Sequence, residues 1–287
     1  MKRIYVIANP RRKPDVVGVL DRVLPWMRKC ANIVKVDQGG ESDLSHIKAD
    51  LVLVFGGDGS ILSAARRLRG NPIPVFGINL GHLGFLAEIE ADELQKTLPR
   101  ILSGEYVLSR RMMLLVCVVA PCGRRHGVRS GLGEYVALND AVIQRIPRAR
   151  MISVDVRVSG EEVAVYKGDG LIVSTATGST GYNLSSGGPI LSERLKALIV
   201  TPICPHTLAN RPIVLSGDET VEVCVTTRTG EPVELIMDGQ VSCTLPSGAV
   251  VEIGRAPYEF NLVTVGRRGR YEIIRDKLHW AGWVKEK

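Results

Sequence analysis

Hydrophobic and polar positions follow two different patterns along the chain, and the change falls near Tyr106. Before it, short continuous apolar runs alternate with stretches that repeat apolar residues at helical spacing. The predicted strands cover residues 4–8, 51–55 and 73–78, and the predicted helices cover residues 15–29, 60–68 and 91–102. Continuous apolar strands separated by helices are typical of a parallel sheet covered on both faces. The pattern therefore predicts an α/β domain over residues 1–105.

From Tyr106 to about Val265 the chain consists mostly of β-rich runs punctuated by glycine and proline turns. We expect strands over residues 114–120, 135–146, 152–158, 171–174, 221–226 and 249–253, with helical interruptions near residues 180–184 and 193–198. Many short strands with frequent turns predict an all-β, sandwich-like domain over residues 106–265. Residues 121–133 are predicted to form a mobile hairpin loop. The tail, which carries Trp280 and Trp283, is expected to dock onto another part of the protein.

Composition and charge narrow the classes of partner. The chain has 287 residues, 45% of them hydrophobic, and a net charge of +7. An excess of basic residues favours ligands that carry phosphate. Aromatic residues make up only 5% of the chain, and no helix has the pattern of a basic recognition helix. Small phosphorylated molecules therefore fit the charge better than nucleic acid does.

The cysteines and the lengths of the hydrophobic runs indicate the cellular compartment of the protein. None of the six cysteines forms a CxxC pair and no histidine cluster accompanies them at zinc spacing, so we expect reduced thiols and no metal held by the protein. The first ten residues turn polar too early for a signal peptide, and no apolar run reaches the ~20 residues of a membrane helix. These features predict a cytoplasmic protein without a membrane partner.

The strongest local motif, Gly56-Gly57-Asp58-Gly59-Ser60, lies between a predicted strand and a predicted helix. Glycines let a backbone approach a ligand closely, and the free N–H groups at the start of a helix attract phosphate. An aspartate would repel phosphate, so Asp58 suits a general base acting on a hydroxyl, or a group linked to a metal ion that offsets phosphate charge. The alternative is that Asp58 only caps the helix.

Two familiar nucleotide-binding motifs are missing. The sequence contains no GxxxxGK[ST], which excludes a P-loop enzyme, and Ala8-Asn9-Pro10-Arg11 replaces the GxGxxG of a Rossmann site after the first strand. If the protein binds a dinucleotide, it must therefore use another arrangement.

A second polar cluster surrounds the predicted strand 171–174. Lys167-Gly168-Asp169-Gly170 precede the strand, and residues 175–189, which include Tyr182, are dense in serine, threonine and glycine. Such a segment is either an ordinary loop or a site that hydrogen-bonds a polar ligand, with Tyr182 available for stacking. Its length and its position after a buried strand favour a site.

Four further segments carry polar or aromatic residues that could contact a ligand or serve a structural role. Phe85 is either a core residue or a stacking face for adenine. Asn139 and Asp140 either bind the two hydroxyls of a ribose or form an ordinary turn. Residues 201–212 are braced by prolines and favour a scaffold role, and residues 238–240 predict a turn.

The order of these motifs along the chain resembles the NAD kinase family. The GGDG turn is shared with the diacylglycerol, sphingosine and phosphofructokinase families, whereas ATGSTGYNLSSGGP followed by TPICPHTLANRP is far more specific. The similarity covers the chain from about Leu51 to Trp280. It implies phosphorylation of the 2′-hydroxyl of the adenosine ribose of NAD by ATP or polyphosphate. It also implies that residues 266–287 return to the first domain, and that a homodimer or homotetramer completes the active site across subunits.

The resemblance assigns roles to individual residues. Asp58 would accept the proton of the 2′-hydroxyl, with Gly59 beside the phosphates, and Mg²⁺ or a similar divalent cation would be held mainly by the donor phosphates. Asn139 and Asp140 would hold the ribose, and Asp169 would receive the nicotinamide carboxamide. The other ligand contacts that the resemblance implies are Phe85 in the adenine pocket, the adenosine-binding residues Thr180, Gly181, Tyr182, Asn183 and Ser185, and also Arg150, Lys167 and Gln240.

The sequence departs from the usual family pattern at four positions. Ser60, Asp140, Ala176 and Gly181 stand where Thr, Glu, Pro and Ala are usual. None of these changes removes a catalytic group, so activity is expected. Two competing functions are a lipid kinase, which would need an apolar acceptor cleft, and a non-catalytic NAD(P) sensor, against which the presence of Asp58 and Asp140 counts.

Overall fold

The computed structural model of the chain describes residues 1–11, 13–81, 84–119, 133–147, 149–207, 209–227, 230–266 and 269–279. The predicted loop before Gly133, and Trp280 and Trp283 of the tail, lie outside these residues. The elements in chain order are β1 (Arg3–Ala8), α1 (Val16–Cys30), β2 (Asn32–Asp37), β3 (Leu51–Phe55), α2 (Asp58–Leu68), β4 (Val75–Asn79), β5 (Ile89–Glu90), α3 (Leu94–Leu102), β6 (Val107–Val119), β7 (Gly133–Ala137), β8 (Asp140–Arg145), β9 (Ile152–Val158), β10 (Glu161–Gly168), β11 (Gly170–Thr175), α4 (Tyr182–Ser185), β12 (Ala197–Ile203), β13 (Ile213–Ser216), β14 (Val221–Thr226), β15 (Val233–Met237), β16 (Val241–Leu245), β17 (Val250–Thr264) and α5 (Arg270–Leu278).

The chain folds into two compact units. The first unit comprises Met1–Arg110 together with Asn261–Lys287, and the second comprises Arg111–Phe260. Strands β6 and β17 are each divided between the two units, because each crosses a boundary.

The first unit is built on a parallel sheet. Its strands follow the order β4-β3-β1-β2, and β5 and the end of β17 also pair with β4. Every residue of β3 and β4 is buried, which explains their continuous apolar sequence. Helix α1 buries Val16, Leu20, Val23 and Met27, whose spacing places them on one face. Since β3 and β4 are parallel, their carboxyl ends lie at the same edge of the sheet.

The second unit contains two antiparallel sheets. One has the order β10-β9-β14-β17, with β6 pairing to β17 and β7 to β6, and the other has the order β13-β12-β11-β8-β15-β16. Alternate residues of β9 and residues of β8, β11 and β12 enter the same core cluster, so one face of each sheet packs against the other. The predicted fold class, an α/β domain with a parallel sheet plus an all-β sandwich-like domain, is confirmed.

Two predicted elements of the second unit are wrong. Residues 135–146 do not form one strand, because β7 ends at Ala137 and β8 begins at Asp140 in the other sheet. The chain changes sheets at Leu138 and Asn139. Residues 193–198 do not form a helix either, because the apolar run from Ala197 begins the fully buried strand β12.

Cys30, Cys117, Cys204 and Cys243 are not disulfide-bonded. Cys224 is disulfide-bonded, so the expectation of reduced thiols throughout is wrong at that position. None of the helices in the described ranges combines the length and apolarity needed to cross a bilayer.

Candidate functional site

Asp58 is the first residue of α2, directly beyond the carboxyl end of β3. Gly57, which has extended backbone angles, is the N-cap residue of the helix. The alternative role of Asp58 as the cap therefore does not hold. Asp58 is half-buried, and its carboxylate accepts hydrogen bonds from another segment of the chain.

The carboxylate of Asp58 accepts two backbone hydrogen bonds from the segment that follows β4. Phe85 N donates to Oδ2 at 2.8 Å, and Leu86 N donates to Oδ1 at 3.0 Å. A carboxylate has about four lone-pair sites, so each oxygen keeps capacity for a further donor such as a ligand hydroxyl. A Cβ atom at Gly84 would overlap all three atoms of the carboxyl group. The fixed position of Asp58 therefore depends on glycine at position 84.

Asn79 ends β4 at the same edge of the sheet. Its side chain is 2% exposed, and Oδ1 accepts a 3.1 Å hydrogen bond from Gly81 N. Its Nδ2 is buried and has no partner among the described residues. Gly59 lies in the first turn of α2, and Phe85, which donates to Asp58, is half-buried.

In the second unit, the bend between β7 and β8 carries the predicted ribose-binding pair. Hydroxyl groups of β11 hold the bend, because Thr175 Oγ1 donates to Leu138 O at 2.6 Å and Ser174 Oγ donates to Asn139 O at 3.1 Å. Thr175 N also donates to Asn139 O at 2.8 Å. The sheet change that the sequence did not reveal therefore takes Asn139 out of regular strand pairing, and Asp140 follows as the first residue of β8, opposite Ser174.

Asp238, from the turn between β15 and β16, binds the other side of the same bend. Its Oδ1 accepts from Asn139 N at 2.7 Å and from Asp140 N at 3.3 Å, and its Oδ2 accepts from Leu138 N at 3.2 Å. In return, Asp238 N donates to Asp140 O at 2.9 Å. The carboxylate thus satisfies three consecutive backbone N–H groups of the bend.

Asp140 is only 4% exposed. Burial, and then the charge of Asp238, raise the pKa of its carboxyl group to about 7. A Cβ atom at Gly181 would lie 3.5 Å from Asn139 Nδ2 and 3.9 Å from Asp140 Oδ2. Asn139 Oδ1 is buried without a partner among the described residues. The structure therefore brings together three of the predicted site residues, Asn139, Asp140 and Gly181.

Asn183 has an internal role. It is fully buried, and its Nδ2 donates to Ser179 O at 3.0 Å and to Pro189 O at 3.1 Å. Its Oδ1 accepts a 2.7 Å hydrogen bond from the Thr201 hydroxyl, and Gly188 packs against the amide. These contacts occupy the side chain, so Asn183 shapes the loop from inside rather than presenting an amide to a ligand.

Tyr182, the next residue back along α4, is 43% exposed. Partial burial, followed by the nearby charges of Cys204, Asp169 and Asp140, raises the pKa of its hydroxyl. The ring therefore stays neutral near pH 7 and offers a free face for stacking. Thr180 and Gly181 are half-buried, and Ser185 is exposed.

Asp169 is paired with Arg145, a residue that the sequence did not single out. Arg145 Nε donates to Asp169 Oδ1 at 2.6 Å, and its NH2 group donates to Oδ2 at 3.4 Å. The guanidinium also donates to Ala149 O at 3.1 Å. Side-chain hydrogen bonding to Asp169 raises the pKa of Arg145. Asp169 is thus oriented from within its own unit.

The remaining predicted site residues lie on the surface of the second unit. Arg150 and Lys167 are exposed and Gln240 is half-buried, while Gln240 N donates to Met237 O at 3.0 Å. Within the described ranges, no group of three or more His, Cys, Asp or Glu side chains is arranged to hold a metal ion.

Sequence reasoning missed two residues that organise the site. Residues 238–240 form a turn, as predicted, but the register that places this turn beside Asn139 is a property of the sheet. β15 pairs with β8 so that Met237 lies opposite Ala141, and this pairing brings the turn to the bend. Strand β11 pairs with β8 so that Gly170 lies opposite Gln144. This register places Asp169, which precedes Gly170, beside Arg145, which follows Gln144.

Comparisons with known proteins identify the family of the chain. The sequence model of the ATP-NAD kinase N-terminal domain matches residues 30–106, and that of the ATP-NAD kinase C-terminal domain matches residues 138–265. The chain is 41% identical to the NAD kinase of Syntrophotalea carbinolica, over 98% of this chain and 99% of that protein. It is 40% identical to the NAD kinase of Geobacter sulfurreducens, over the same shares of the two chains.

Solved structures share the fold. A yeast NADH kinase complexed with NADH superposes with a TM-score of 0.83 at 21% identity, covering 100% of this chain and 90% of that one. An NAD kinase from Archaeoglobus fulgidus in complex with ATP superposes with a TM-score of 0.75 at 24% identity, covering 96% of this chain and 98% of that one. The matched family models and the relatives aligned over nearly their full length show that the chain belongs to the NAD kinase family.

Proposed function

We propose that this chain transfers the terminal phosphoryl group of ATP to the 2′-hydroxyl of the adenosine ribose of NAD, giving NADP and ADP. Family membership over nearly the whole chain supports the reaction. The observation that carries the mechanism is the carboxylate of Asp58, which two backbone N–H groups hold in one position while leaving lone pairs available.

In the proposed step, Asp58 accepts the proton of the ribose 2′-hydroxyl while the oxygen of that hydroxyl forms a bond to the terminal phosphorus of ATP. The bond between that phosphorus and the bridging oxygen breaks, and ADP leaves with the electron pair. Phosphoryl transfer requires positioning and charge stabilisation more than covalent help from the protein. A positioned general base contributes typically ~10²- to 10⁴-fold, which is the share assigned to Asp58.

The donor phosphates would lie near the N-terminus of α2, at Gly59. The first N–H groups of a helix have no partner within the helix and attract anions. The divalent cation, Mg²⁺ or a similar ion, would neutralise charge on the phosphates. In this proposal the ion arrives with ATP and is held mainly by its phosphates.

We assign NAD binding to the second unit, which the sequence predicts as residues 106–265. Asn139 and Asp140 would hydrogen-bond the ribose, and Tyr182 would stack on the adenosine end together with Thr180, Gly181 and Ser185. The carboxylate of Asp169 would receive the nicotinamide carboxamide while Arg145 holds it in place. Phe85, Arg150, Lys167 and Gln240 complete the proposed contacts, and Asn183 supports them from the interior.

The test of the mechanism is the variant Asp58→Asn, measured by NADP formation and by NAD binding in parallel. We expect turnover to fall by about 10²-fold or more while NAD still binds. Because the amide presents only one acceptor oxygen to two N–H groups, thermal unfolding must be measured as well. Asp21→Asn, on the exposed face of α1, is the matched control. A folded Asp58→Asn protein with the turnover of the parent would contradict the role of Asp58.

Other features remain part of the proposal. These are the use of polyphosphate as an alternative donor, assembly as a homodimer or homotetramer with an active site completed across subunits, a cytoplasmic location, and no nucleic-acid or membrane partner. Rates with ATP and with polyphosphate, and the mass of the protein in solution, test the first two directly.

A further inference from the structure

The turn between β15 and β16 has a backbone shape that few residues adopt. Asp238 has φ of 50° and Gly239 has φ of 63°, and Gln240 N donates to Met237 O at 3.0 Å. Two consecutive central residues with positive φ are typical of a type I′ turn. Since Met237 pairs with Val241, residues 238–240 form the connection. Asn, Asp and Gly are the residues that tolerate this conformation. Turn geometry alone would therefore accept Asn or Gly at position 238.

The side chain of Asp238 does something that the turn does not require. Its two oxygens accept hydrogen bonds from the consecutive N–H groups of Leu138, Asn139 and Asp140, at 3.2, 2.7 and 3.3 Å. These N–H groups belong to the bend where the chain passes from one sheet to the other. A buried N–H group without a partner costs about 1–3 kcal/mol, so the carboxylate stabilises a backbone path that neither sheet satisfies.

The charge of Asp238 also acts on Asp140. Among the described residues, Asp238 from the hairpin turn and Tyr182 from α4 interact electrostatically with Asp140. On the adjacent strands its neighbours are uncharged, since Ser174 lies opposite it on β11 and Met237 lies opposite the following residue on β15. Burial and then the charge of Asp238 raise the pKa of Asp140 to about 7.

We propose that Asp238 is a positioning residue for the ribose of NAD: its carboxylate fixes the backbone of Asn139 and Asp140, and with it the direction of their side chains. The inference rests on the proposed function, in which that pair binds the ribose hydroxyls. Asp238 needs no contact with NAD, because it acts through the bend. Substitutions of Asp238 can separate three of its contributions, which are the conformation of the turn, the hydrogen bonds to the bend and the negative charge.

Three variants make this separation. Asp238→Gly keeps a residue that adopts positive φ but removes the carboxylate. Asp238→Asn keeps the turn and an oxygen for the N–H groups of Asn139 and Asp140, but removes the charge. Asp218→Asn, in the exposed turn after β13, makes the same chemical change beside Arg255 and serves as the control.

The experiment measures the dissociation constant of NAD by calorimetry from pH 5.5 to 8.5, together with KM and kcat. Asp238→Gly should weaken NAD binding by about tenfold or more, because hydrogen bonds to a charged group are lost. The effect should fall on KM rather than kcat. Asp238→Asn should recover part of the affinity, and the pH at which NAD affinity changes should move below that of the parent, since the repelling charge is gone.

Two results separate failure of this inference from failure of the proposed function. Asp140→Asn that binds NAD as tightly as the parent would contradict the ribose assignment and both proposals with it. Weak binding by Asp140→Asn, combined with parent affinity and an unshifted pH dependence in folded Asp238→Gly and Asp238→Asn proteins, would overturn the inference alone.

Discussion

The carboxyl group of Asp58 occupies the space in which a side chain at Gly84 would begin. Every carboxyl atom of Asp58 lies within overlap distance of a Cβ atom built on Gly84. The same carboxylate accepts hydrogen bonds from the next two residues, Phe85 and Leu86. Residues 84–86 thus pack against the proposed base, and Gly84 leaves the space that its carboxyl group needs.

We therefore expect Gly84→Ala to lower kcat strongly while Asp58 is still present. The methyl group must push the carboxylate away from its position, and a displacement of about 1 Å at a catalytic group can cost on the order of 10²-fold in rate. Steady-state kinetics of NADP formation measures the effect. Gly18→Ala, which adds the same methyl group to α1 with no atom within 4 Å, is the control and should keep parent kinetics. A fully active Gly84→Ala enzyme would show that the position of Asp58 is not critical.

A second prediction concerns the interior of the hydroxyl-rich loop. Asn183→Ala removes an amide that joins Ser179, Pro189 and Thr201, and it leaves buried polar groups without partners. We expect a loss of about 2–4 kcal/mol in the free energy of unfolding, measured by urea denaturation. Thr201→Val, combined with Asn183→Ala in a double-mutant cycle, should show a coupling energy. Additive effects of the two changes would argue against the network.

The sequence predicted the architecture well because burial leaves a direct pattern in it. β3 and β4 are buried on both faces and read as continuous apolar runs, while the glycine-rich turn after β3 marks the start of α2. The predicted strands at residues 152–158 and 221–226 match β9 and β14 for a similar reason, since alternate residues face one core. Local pattern determines these elements.

The sequence could not reveal contacts that depend on strand pairing. Residues 135–146 carry enough apolar side chains for a single strand, yet the chain changes sheets within them. Asp238 reaches Asn139 across 99 residues of sequence, and Arg145 reaches Asp169 across 24. Asn183 stands in a loop whose composition predicts ligand contact, but its polar atoms are used internally. Only the sheet register and the packing decide these roles.

A third prediction follows from the buried carboxyl group of Asp140, whose pKa is raised to about 7. Between its ordinary value near 4 and about 7, the folded protein retains a proton that the unfolded chain has lost, so this group makes stability fall as pH rises through that window. Asp140→Asn removes the dependence. Without NAD, the variant should gain stability relative to the parent between pH 5 and pH 8, by on the order of 3 kcal/mol.

Urea denaturation at the two pH values measures this difference. Asp218→Asn, at an exposed position in the same unit, should follow the parent at both. If the difference in stability between Asp140→Asn and the parent is the same at pH 5 and pH 8, the carboxyl group of Asp140 does not titrate in this window.

The last prediction separates orientation from stability at the proposed nicotinamide end. Arg145 and Asp169 are both about one-third exposed, and an ion pair of this exposure contributes only about 0–1 kcal/mol to stability. Arg145→Met should therefore leave the unfolding temperature nearly unchanged. However, the guanidinium holds both oxygens of Asp169, so its loss lets the carboxylate rotate away from the direction in which a carboxamide would meet it. We expect the KM for NAD to rise several-fold with little change in kcat, and Arg145→Lys, which can hold only one oxygen at a time, to give an intermediate value.

Arg157→Met, which breaks the exposed pair with Glu162 on β9 and β10, is the matched control. If Arg145→Met has the KM of the parent, Asp169 either needs no orientation by Arg145 or makes no contact with NAD. The variant Asp169→Asn would then distinguish these two cases. Removing the charge of Asp169 should change the KM for NAD only if the residue contacts the ligand.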